Sequence, residues 1–194
     1  MTRRPPTAPC STRPAAASPG PLLPDRRLLG DRRRGGESAG AGLAAALLVA
    51  ARDQGLPMPA AEVLFSPYAD LTLSGASMTG KQAVGPSFTP EVIAVRAKDY
   101  AAAADPSDPL VSPVFADLRG LPPLLIQAGS HELLLDDAVR LAARVAADDV
   151  PVTLEVTPGV AHLFDAFAGM LDEGEAALRR VADFLATTVT GAVR

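Results

Sequence analysis

The residues best suited to chemistry sit in a G-x-S-x-G element, Gly36-Glu37-Ser38-Ala39-Gly40, which leads into the apolar stretch Leu43 to Ala51. In such an element the serine occupies a sharp strand-to-helix turn, and the flanking glycines allow the close backbone approach that presents its hydroxyl as a nucleophile. The amide of Ala39 would open the following helix, where unpaired N–H groups and the helix dipole stabilise an oxyanion. Chance alone supplies such an element often enough, in a chain this rich in Gly and Ser, that context must carry the inference. A serine of this kind needs a base to take its proton and a carboxylate to hold that base. His162 follows a β-capable run and a Pro158-Gly159 turn, and Glu132 lies 30 residues upstream, just after another such run. Glutamate suits the role, which is to accept the second imidazole N–H and stabilise the imidazolium. Asp136 is the alternative acid, but in the first turn of a helix with Arg140 at i+4 it reads as ordinary helix chemistry. His131 adjoins Glu132 and breaks the order serine, acid, histidine, so it reads as a loop residue.

These groups need rigid elements to position them. Residues 39 to 54 read as a helix apolar nearly all round, stopped by Gly55-Leu56-Pro57. Ala61 to Phe65, Leu124 to Ala128 and Val152 to Thr157 read as strands, bounded by Ser66-Pro67, Gly129-Ser130 and Pro158-Gly159. Thr89 as N-cap, Pro90 in the first turn and Phe88 placed to staple Ile93 open a further helix that runs to Ala104. Asp137 to Asp148 puts Ala138, Leu141, Ala142 and Val145 on one face, and Glu175 to Ala186 does the same with Leu178, Val181, Ala182 and Leu185. Strands separated by helices imply parallel βαβ units, hence an α/β layer structure that binds ligands at the carboxyl ends of its strands. A strand should precede Ser38 as well. Arg32-Arg33-Arg34 cannot fill a buried one, so that strand is expected to be missing or the element accidental.

Composition narrows the classes. The 194 residues carry a net charge of −4, but residues 1 to 35 hold +6 and the remainder −10. The basic head lacks interleaved aromatics or a periodic basic face, which argues against a nucleic-acid or membrane arm. Rich in Pro, Arg, Ala and Ser, it is expected to be a disordered tail that resembles GC-rich DNA read out of frame. Prolines 5, 6, 9 and 14 interrupt what would be an export signal, the longest apolar run is too short for a bilayer, and the lone Cys10 rules out an intrachain disulfide. A soluble, cytoplasmic protein without a metal site is expected.

The chain resembles the hormone-sensitive-lipase-like esterases of the α/β-hydrolase superfamily, from Gly35 to about Leu185. The resemblance rests on the Ser38 element, Leu64-Phe65-Ser66-Pro67-Tyr68-Ala69-Asp70, Asp108-Pro109-Leu110-Val111-Ser112-Pro113 and Leu121-Pro122-Pro123-Leu124-Leu125-Ile126, ending with Glu132-Leu133-Leu134-Leu135-Asp136-Asp137 and Pro158-Gly159-Val160-Ala161-His162. It implies a partial α/β-hydrolase fold over residues 36–194, with about three surviving strands, flanking helices and a helical cap insertion at about 71–110. It implies cleavage of short-chain carboxylic esters through an acyl-enzyme, with Ser38 as nucleophile, His162 as base, Glu132 as acid, the Ala39 amide in the oxyanion hole and no cofactor. The partner would be a small-molecule ester, not nucleic acid or membrane; a homo-oligomer stays open. Asp70 matches a family position and reads as a turn cap. The family's upstream His-Gly-Gly motif has no counterpart, since no histidine precedes His131. Impaired catalysis is therefore expected, and a non-catalytic remnant or an interaction protein is the alternative.

Overall fold

The structure, a computed structural model, describes residues 34–191. Four parallel strands, β1 (Arg34–Glu37), β2 (Glu62–Phe65), β3 (Leu124–His131) and β4 (Val152–Ala161), pair in that order. The connections contain α1 (Ala39–Asp53), α2 (Ser77–Gly80), α3 (Pro90–Ala101) and α4 (Leu135–Ala147), and α5 (Asp172–Gly191) follows β4. This is the expected parallel sheet with flanking helices. Of the basic tail expected over residues 1 to 35, residues 1 to 33 lie outside the described residues.

The tail's last two residues belong to β1, which corrects the expectation that no strand precedes Ser38 and raises the strand count to four. Apolar content is a poor guide here because β1 is short and held by its backbone. Arg34 to Glu37 lie opposite Glu62 to Phe65, and the Ser38 N–H extends the ladder to the Phe65 carbonyl at 2.9 Å. Its glycines are demanded by close approach: a Cβ on Gly36 would fall 2.4 Å from the Gly40 carbonyl oxygen. Of the three arginines only Arg34 falls among the described residues, and it lies in β1.

β4 runs past its expected end at Thr157. Pro158-Gly159 forms an irregularity between the pairs Gly129↔Thr157 and His131↔Ala161, after which pairing resumes. Gly159 takes φ 74° and donates its N–H to Ser130 Oγ at 2.8 Å, so the break expected from Pro-Gly is instead a bulge that aims the chain at His162. α3 ends at Ala101 rather than Ala104, where Ala102 turns to φ 50°. In α5 the contact line differs from the apolar stripe. Leu178 is 42% exposed while Ala177 is fully buried, because small residues allow the approach: a Cβ on Gly174 would lie 2.9 Å from the Phe164 carbonyl oxygen.

Leu48, Leu64, Ile126, Leu141 and Val145 anchor the main core between the sheet and helices α1 and α4. Tyr68, Leu71, Met78, Ile93, Leu133 and Leu134 form a second cluster, which docks α2 and α3 against the loop after β3. α1 is buried along Ala41, Ala45, Leu48 and Val49, but Leu43 is 56% exposed near its start. Among the described residues no helix is long and apolar enough to cross a membrane, and no cluster of His, Cys, Asp and Glu is placed to hold a metal ion.

Candidate active site

Ser38 occupies the turn between β1 and α1 with φ 52° and ψ −121°, a conformation side chains rarely accept. The carbonyl of Ser38 receives the N–H groups of Ala41, Gly42 and Tyr68 at 3.0 to 3.2 Å, while its own N–H is tied to β2. The turn is therefore pinned from both sides. Of the two glycines in the element only Gly36 is sterically required; a Cβ on Gly40 would meet nothing within 4 Å. The second required glycine is Gly42, one turn on, where a Cβ would lie 2.0 Å from the Tyr68 carbonyl oxygen. Ala39 opens α1, so its amide is one of the first-turn N–H groups that no intrahelical carbonyl can accept.

The three residues singled out by order and spacing meet in space. His162 Nε2 stands 2.9 Å from Ser38 Oγ, and His162 Nδ1 stands 3.1 Å from Glu132 Oε2. With the proton on Nδ1, the imidazole donates to the carboxylate and turns the Nε2 lone pair toward the serine hydroxyl. Both partners of Ser38 are withdrawn from water: Glu132 is 1% exposed and His162 6%. Among the described residues Glu132 Oε1 has no hydrogen-bond partner, so Oε2 carries the bonding load of the carboxylate there.

Asp136 does not enter this arrangement. It begins α4 as expected, but its carboxylate receives the Ser77 N–H at 3.0 Å, and Arg140 turns instead to Asp70 at 2.6 Å. His131 ends β3 beside the site and touches neither Ser38 nor Glu132 by any hydrogen bond described. Asp70 caps its turn by accepting from the Thr72 N–H and hydroxyl and from Ser74 Oγ. Burial opposes its charge, but the bonds from Ser74, Thr72 and Arg140 prevail and hold the carboxyl below its usual range. Its neighbour Asp137 goes the other way. Burial raises it to about 7, against the Asp70 and Ala69 N–H groups it accepts and with the Asp70 charge adding to the rise.

Three site residues carry no sequence signal for their placement. Ser66, fully buried at the end of β2, donates its hydroxyl to Glu132 Oε2 at 2.8 Å. The Phe88 ring, expected to staple Ile93, meets the His162 ring edge to face at 5.4 Å. Asp165, three residues past His162, is 6% exposed with one carboxylate oxygen unpartnered. Burial raises it, its own amide opposes, and the titratable groups beside it are Glu37, His162 and Glu132. Beside the first turn of α1 lies a cavity of about 80 Å³ lined by Ala39, Gly42, Leu43, Tyr68, Leu71 and Tyr100 among others.

A serine pinned in a strained turn, its hydroxyl on a buried imidazole, and a parallel sheet presenting both at strand ends define a class. Residues 34–166 match the alpha/beta hydrolase fold family, to which the chain belongs. Its likenesses are to bacterial esterases of the hormone-sensitive lipase type. An acetyl-hydrolase of Streptomyces hygroscopicus is 42% identical over 187 residues, covering 95% of this chain and 62% of that protein. An esterase of Acinetobacter venetianus is 39% identical over 150 residues, 77% of this chain and 50% of that one. The crystal structure of an esterase from the bacterial hormone-sensitive lipase family superposes with a TM-score of 0.79 at 43% identity, over 81% of this chain and 53% of its own. An esterase/lipase from an uncultured bacterium gives 0.78 at 44% identity over the same shares. The chain thus spans between half and about two thirds of the length of these relatives.

Proposed function

We propose that the chain hydrolyses short-chain carboxylic esters through an acyl-enzyme. Ser38 Oγ attacks the ester carbonyl as His162 Nε2 takes its proton, and Glu132 stabilises the imidazolium that results. The oxyanion forms within reach of the Ala39 N–H and the start of α1. His162 then protonates the departing alkoxide, draws a proton from a water that attacks the acyl carbon, and returns that proton to Ser38 Oγ as the bond to Ser38 breaks and the acid leaves. These steps use side chains, backbone N–H groups and water. Residues 71 to 110, whose Phe88 packs on His162, are read as a cap over the site, and the cavity beside Ala39 as room for a small acyl group.

The observation that supports this most strongly is the contact order itself: Ser38 Oγ to His162 Nε2 at 2.9 Å and His162 Nδ1 to Glu132 Oε2 at 3.1 Å. Ala39 supplies an oxyanion donor, and each such donor is worth about 10²- to 10³-fold in turnover. Release of p-nitrophenol from p-nitrophenyl butyrate by the full chain tests the reading. Hydrolysis that disappears in both Ser38→Ala and His162→Ala supports it; a rate no greater than that of Ser38→Ala contradicts it.

A further inference from the structure

Ser66 stands at the end of β2 where Ser38 stands at the end of β1, and like Ser38 it takes a positive φ, 44°. Its amide is anchored to the Gln127 carbonyl of β3 at 2.7 Å, which fixes where the side chain can point. The hydroxyl sits between the two loops that bring acid and base together. It donates to Glu132 Oε2 at 2.8 Å and receives the N–H of Leu163, the residue after His162, at 3.3 Å. We propose that Ser66 is a positioning residue of the site, holding Glu132 Oε2 against His162 Nδ1 and clamping the His162 loop with the same hydroxyl.

The chemistry of the carboxylate makes this more than a knitting contact. Because Oε1 is buried without a partner, Oε2 accepts everything Glu132 accepts, and Ser66 is one of its two donors. Without that hydroxyl a buried carboxylate keeps only the imidazole, and the Leu163 N–H loses its acceptor. A hydrogen bond to a charged group is among the strong ones, and leaving the charge short of a donor costs most where water cannot replace it. The carboxylate would then lean more fully on the imidazole N–H, and the pH profile of a step that needs His162 as a base would move to higher pH. Asp165, which interacts with both members of the pair, is a carboxylate and cannot supply the missing donor when ionised, and His131, which lines the same pocket, makes no hydrogen bond to Glu132 among the described residues.

The inference rests on the hydrolase reading, and two measurements on the full chain separate the two. One is the rate at which a fluorophosphonate labels Ser38 across pH, in the natural chain, Ser66→Ala and Ser66→Cys. The other is the proton resonance of His162 Nδ1, which needs no turnover. Ser66→Ala should label about 10- to 100-fold more slowly at neutral pH. Its acid-side midpoint should rise by about one pH unit. The Nδ1 resonance should move upfield or vanish. Ser66→Cys, which keeps a weak donor, should fall between the two, and it carries the comparison if far-UV dichroism shows that Ser66→Ala does not fold. An unchanged midpoint and an unmoved resonance in a folded variant overturn the positioning role, whatever happens to its melting temperature. If the natural chain leaves Ser38 unlabelled, the hydrolase reading falls, and the resonance alone decides for or against Ser66.

Discussion

Glu132 concentrates its bonding on one oxygen, and that dictates how the acid position should respond to substitution. Glu132→Gln exchanges the charge that balances the imidazolium for a neutral amide, so ester turnover should drop by about 10²-fold or more. Asp136→Asn should leave turnover within a few-fold, since its carboxylate serves the Ser77 amide; equal losses measured in parallel assays would contradict the assignment. Asp137 gives a prediction of opposite kind. Its folded value of about 7 exceeds the ordinary 3.8, so the native state binds more protons between these values and loses stability as pH rises from about 4 to 7. Asp137→Asn keeps an acceptor for the Ala69 and Asp70 amides and removes that slope. Thermal melts at pH 4.5 and 7 should show a decline in the natural chain that the variant lacks. Ser38 was legible in the sequence from its G-x-S-x-G element, and Glu132 and His162 because each comes shortly after a strand-like run, with order and spacing doing the rest. Ser66 follows such a run too, but nothing local distinguishes a serine that reaches across to Glu132 from one that ends a strand before proline. The positions of Phe88 and Asp165 depend on where the α3 loop and the turn after His162 come to rest, which only tertiary packing decides.

At the level of elements, the glycines around Ser38 separate what a turn requires from what a helix tolerates. Gly36→Ala and Gly42→Ala force a methyl to within 2.4 Å and 2.0 Å of backbone oxygens, so each should destabilise the fold by at least about 1–3 kcal/mol. Gly40→Ala meets open space on a helix and should be neutral or stabilising by up to about 1 kcal/mol. Denaturant unfolding of the three variants ranks them directly, and a Gly40→Ala loss as large as that of Gly42→Ala would refute the account of the turn. Apart from the single turn of α2, the helices were legible to within a few residues because apolar periodicity and caps are local; Thr89 does accept the Val92 N–H, at 3.4 Å. β1 was not, because its identity lies in backbone pairing with β2 and in the fit of Gly36 against α1. The continuation of β4 was hidden for the same reason: Pro158-Gly159 signals a stop, and the Ser130 hydroxyl that receives the Gly159 amide makes it a bulge.

For the whole molecule, four parallel strands bring the loops after β1, β2, β3 and β4 to one edge, and each contributes a residue there: Ser38, Ser66, Glu132 and His162. The sheet's parallel sense was implied by the alternation of strands and helices, whereas the meeting of residues 124 positions apart in sequence is a property of the assembled fold alone. Membership of the alpha/beta hydrolase fold family gives the arrangement its meaning, and the relatives' greater length leaves activity to be measured on this chain itself. The central claim is that His162 activates Ser38. Labelling the full chain with a fluorophosphonate and mapping the adduct by peptide mass spectrometry tests it most directly. A single adduct on Ser38 that forms quickly in the natural chain and at least about 10²-fold more slowly in His162→Ala is the predicted result. An adduct on another residue, or one that forms on Ser38 equally fast without His162, would contradict it.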